Sequence, residues 1–157
     1  MKLSIKKGFS FGLTSGVITT LGLIVGLESG TNSKILIIGG ILVIAVADAM
    51  SDALGIHISE EAENKHTVKE IWEATISTFL AKFIVALTFV VPILFLELFP
   101  AVIICILWGL FLIITFSYYL AKLQQVQPHK IILEHVTIMI VVIIITYYIG
   151  SWVATLG

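Results

Sequence analysis

Five long apolar segments, at about 8–28, 35–57, 72–97, 101–121 and 131–154, limit what this chain can fold into more than any other feature. Crossing roughly 30 Å of hydrocarbon takes about 20 residues of helix, and each segment is long enough. Polar or turn-forming stretches part them: "ESGTN", "SEEAENKHTVKE", "LFP" and "QQVQPHK". Their number is odd and their side chains do not alternate as barrel strands would, so helices are predicted. Composition agrees, with 59% hydrophobic and only 12% charged residues and a mean hydropathy of +1.12, far from the soluble range. The expected fold is an all-α integral membrane protein of five transmembrane helices, one membrane domain over residues 1–157, with lipid as its first partner.

Arginine is absent, which removes the planar donor that grips phosphate in two places, so nucleic acid and lipid-phosphate chemistry are not expected. The lone Cys105 provides neither a disulfide framework nor a thiolate metal site within one chain. The basic start, Lys2, Lys6 and Lys7, leads into apolar sequence without a small-residue cleavage site, so no cleavable signal peptide is expected. A cytoplasmic N-terminus puts Lys2, Lys6, Lys7, Lys65, Lys69, Lys122 and Lys130 inside and only Lys34 outside, with Lys82 in a span. The C-terminus is then on the opposite side. Thr67 and Glu70 in "TVKE" read as a capping box, starting the third helix before it enters lipid. Helices two and three are thus expected to form a short cytoplasmic hairpin around the acidic segment 58–73.

The second span ends in "AVADAMSDALGIHISEEAE", which carries two acids where hydrocarbon is expected. At about 100° per residue Asp48 and Asp52 share one helix face, and that face continues through Gly55 and Ser59 to Glu63 and His66. A charge near the bilayer centre costs a few kcal/mol, so both acids need a partner: a cation, protons, Lys82 or water. A structural alternative pairs Lys82 with one aspartate and leaves the other unexplained. Below them Glu60, Glu61, Glu63, Glu70 and Glu73 fall close together. They are either a solvated collar or, with Glu70, Glu73 and Ser77 on one face of the third helix, hard oxygen ligands for a divalent cation. His66 lies on the acidic stripe, whereas His57 lies opposite Asp48 and reads as interfacial.

In the first span Gly12, Ser15, Gly16, Thr19, Gly22 and Gly26 form a stripe of small residues suited to close helix packing or dimerisation. The hydroxyls of Ser15 and Thr19 either face the aspartates or bond back one turn. Pro92 is expected to kink the third span.

These stretches resemble the vacuolar iron transporter family. The likeness covers nearly the whole chain and rests on "SGVITTLGLIVG" (15–26), "ADAMSDALG" (47–55), "TFLAKFIVALTFVVPILF" (78–95) and "TYYIGSW" (146–152). The resemblance implies a homodimer, an ion path between protomers lined by the first two spans, metal-collecting glutamates below the membrane, and export of Fe2+ or Mn2+ by proton antiport. Ser15 stands where the family has a first-span acid, Asp52 where it has a methionine, and Ile56 where it often has an acid. Acid has moved from the first helix to the second, and loss of the soft sulfur favours harder cations such as manganese.

The leading expectation is a dimeric transporter, not an enzyme, without a resident cofactor. Its metal-handling residues would be Asp48, Asp52, Glu60, Glu63, Glu70 and Glu73, with Ser15 and Thr19 as neutral oxygens. Repulsion and desolvation would raise at least one aspartate pKa when metal is absent, giving proton coupling. The rivals are a proton or monovalent-cation pathway or transport-inactive relative with Lys82 holding the aspartates, a metal-dependent membrane enzyme, and an assembly subunit.

Overall fold

A computed structural model describes residues 2–156. Its order is α1 (Leu3–Thr31), α2 (Lys34–Ala62), α3 (Val68–Thr88), α4 (Val90–Phe95), α5 (Leu98–Gln124) and α6 (Pro128–Val153), with no strand among the described residues. Counting Val68–Phe95 as one, five helices are long and apolar enough to cross a membrane, as a multi-pass membrane protein requires.

The sequence explains where the helices stop. Thr67 accepts from the Glu70 N–H at 3.3 Å while the Glu70 carboxylate accepts from the Thr67 N–H at 2.9 Å, so the expected capping box is formed. Asn32, Asn64 and Gln125 follow α1, α2 and α5 with φ of 48°, 51° and 57°, the left-handed turn that ends a helix. Pro128 opens α6, where a missing N–H costs nothing. Pro92 acts as expected: its ring excludes the carbonyl four residues earlier, α3 ends at Thr88, and the Phe89 N–H turns to the Ala86 carbonyl at 3.2 Å.

The chain forms two compact units, one from the chain up to Val17 with Gly39–Val90, the other from Ile18–Ile38 with Val91 onward. In the first, α1 lies against α3 so closely that a Cβ at Gly8 or Gly12 would collide with the Ala74 or Thr78 carbonyl. Ser77 there donates to the Ile5 carbonyl at 2.9 Å. In the second, the later half of α1 meets α6, where a Cβ at Gly150 would strike the Gly26 carbonyl, and Ser29 donates to the Tyr147 carbonyl at 3.1 Å. The glycine stripe is therefore used for packing within the chain. In that unit Lys34 also donates to the Leu94 and Leu96 carbonyls, both at 3.0 Å, closing the C-terminal end of α4.

Candidate functional site

Three helices of the first unit bring one side chain each, or two, to a single point. One turn of α2 presents Asp48 and Asp52, α1 presents Ser15, and α3 presents Lys82. The Lys82 Nζ lies 2.5 Å from Asp48 Oδ2, 2.6 Å from Asp52 Oδ2 and 3.0 Å from Ser15 Oγ, and Ser15 in turn donates to Asp52 Oδ2 at 2.6 Å. The ammonium donates to Ser15 and Asp52 and forms an ion pair with Asp48. No hydrogen bond reaches the Oδ1 atom of either aspartate among the described residues. Lys82 has 2% of its side chain exposed, against 32% for Asp48 and 20% for Asp52, so the ammonium stands behind the carboxylates. Two carboxylates and one ammonium leave a formal charge of −1. The expected pair of repelling acids is thus a three-charge cluster, and Lys82 holds both aspartates rather than one.

Ser15 faces the aspartates as expected. Thr19 belongs to the other unit, where it lines a groove of about 670 Å³ with Gly22, Gly26, Val142, Thr146 and Gly150.

A second cluster lies where α2 ends. One ligand atom each from Glu60, Glu63 and His66 falls within 4.8 Å of the others. The His66 Nε2 is 3.3 Å from both Glu60 Oε2 and Glu63 Oε2 and shares a hydrogen bond with the latter. Lys7 forms an ion pair with Glu60 Oε1, without the alignment of a directed hydrogen bond, and reaches Glu63 at 3.5 Å. Glu60 is 2% exposed, a burial that a carboxylate sustains only when paired, as it is here with Lys7 and His66. The hydrogen bond from His66, and next the charge of Lys7, hold the Glu63 carboxyl below its ordinary value. Carboxylate and imidazole together are donors that first-row divalent metals accept; binding one here requires a free lone pair on the His66 Nε2 and the Lys7 ammonium to move off.

Glu70 and Glu73 are not in this cluster, against expectation. Glu70 is taken by the capping box, and Glu73 by Lys2 at 2.5 Å and Ser4 at 2.8 Å. His57 bonds Thr75 at 2.9 Å, meets Trp72 edge-on and lies 3.5 Å from Glu61. What sequence reasoning missed is Lys2 and Lys7, which bridge to Glu73 and Glu60 on other helices, and that Lys82, foreseen as a partner for one aspartate, meets both; helical spacing carries no signal of that. No protein-family model matches this chain, nor does any characterised protein.

Proposed function

We propose that this chain is a multi-pass membrane transporter of divalent transition-metal ions, Fe2+ or Mn2+, carrying them out of the cytosol in exchange for protons. The observation that carries this reading is the convergence of Glu60, Glu63 and His66 at the end of the same helix that bears Asp48 and Asp52, with Glu60 on its last turn and Glu63 and His66 just beyond it. Twelve residues separate Asp48 from Glu60, a rise of about 18 Å along α2. One helix thus links a collecting site at its end to an acidic site well inside its apolar length. Likeness to the vacuolar iron transporter motifs supports the choice of cargo. The lysine distribution supports a cytoplasmic N-terminus and a cytoplasmic α2–α3 hairpin. A homodimer is supported by the exposed small residues Ala47, Ser51, Gly55 and Ser59, four apart on α2 beside the half-exposed aspartates.

The test is Mn2+ and Fe2+ uptake into proteoliposomes with internal pH recorded. Replacing Asp48 and Asp52 together with asparagine should slow metal flux by at least about tenfold, the equivalent of one lost charge contact. Undiminished flux would refute the reading. A second reading, a proton or monovalent-cation pathway, is favoured by the contact of Lys82 with both aspartates, since one positive charge then neutralises the cluster. It predicts proton movement in the same vesicles with every divalent cation chelated.

A further inference from the structure

We infer that the Lys82 ammonium is a resident cation: it fills an oxygen seat made by Ser15, Asp48 and Asp52, and a divalent ion passes only by displacing it. The inference rests on the transporter reading and gives that site a gatekeeper.

Three oxygens surround Nζ at 2.5, 2.6 and 3.0 Å. Hard divalent cations take oxygen ligands at about 2.0–2.6 Å, so against the two carboxylates the ammonium stands where such an ion would be held, with Ser15 a little farther off. The seat is approached from the carboxylate side, because Lys82 is buried behind Asp48 and Asp52 and their Oδ1 atoms accept no hydrogen bond among the described residues. An arriving ion meets oxygen before it meets the ammonium, and the Oδ1 atoms can grip it while the Oδ2 atoms still hold lysine. Charge then decides the exchange. A sodium or potassium ion offers the carboxylates the same single charge that lysine already provides, whereas a divalent ion doubles the attraction at equal distance. The lysine stem is four flexible carbons and runs beside Gly16, where an added Cβ would come within 3.3 Å of Lys82 Cγ. Lys82 therefore rejects monovalent ions by occupying their place, and yields to divalent ones.

The experiment is Mn2+ binding to the purified full-length protein in detergent, read by electron paramagnetic resonance. Lys82→Gln should tighten Mn2+ binding by at least about tenfold by removing the competing charge, and adding D48N and D52N should abolish the gain. Unchanged or weaker binding overturns the inference, because an ammonium that steadies the carboxylates is a helper and not a competitor. Should Lys82→Gln fail to fold, the wild type answers through amine acylation mapped by mass spectrometry. Lys82 should be protected without Mn2+ and several-fold more modified at saturating Mn2+; unaltered protection overturns the inference. The two readings fail separately. Wild-type Mn2+ flux with no gain in Lys82→Gln removes the resident cation alone, and a gain without wild-type flux removes the transporter alone.

Discussion

A buried ion pair deprived of one partner is costly because the survivor keeps its charge and loses its compensation. Asp52 and Asp48 are unequal in this respect. Asp52 Oδ2 serves both Lys82 and Ser15, while Asp48 Oδ2 serves Lys82 alone. Asp52→Asn should therefore destabilise the protein more than Asp48→Asn, by a further 1 kcal/mol or so, roughly one net hydrogen bond. Thermal unfolding in detergent ranks the two, and the reverse order would mean that the Ser15 bond contributes nothing. The sequence made the aspartate stripe legible because one helix carries both acids. It did not show that Lys82 would meet both, since its reach depends on how α3 is placed against α2. The same limit hid Lys7 beside Glu60, and it separated Glu70 and Glu73 from the acids they were expected to join.

Among the elements, α1 shows how much of the packing is carried by absent side chains. Gly8 and Gly12 let its backbone touch α3, and a Cβ at either would meet a carbonyl oxygen. Backbone yields less readily than the end of a flexible side chain, so Gly12→Leu should destabilise the protein by about 1–3 kcal/mol, as overpacking does. A melting temperature equal to wild type would show that the two helices part without loss. Small residues at helical spacing announced close packing, but the neighbour was not legible: the early glycines meet α3 and the later ones meet α6. Helix ends were easier. Thr67 with Glu70, and Pro92, act over four residues or fewer, a range in which chemistry and position coincide.

At the scale of the whole molecule, five apolar runs became five helices able to cross a membrane, because hydrocarbon leaves a backbone no partner but itself. The cluster on α2 matters at this scale too. It holds a formal charge of −1 deep within an apolar helix. An ion that travels to it from either surface crosses part of the transmembrane electric field, which is worth about 2.3 kcal/mol per charge per 100 mV for a complete crossing. Proteoliposomes clamped at different potentials with potassium and valinomycin should thus move Mn2+ at different initial rates, and the dependence should vanish with Asp48→Asn and Asp52→Asn. If ions pass there as proposed, a carboxylate so placed makes voltage an input to their passage, acting on it even where the concentrations on the two sides are equal.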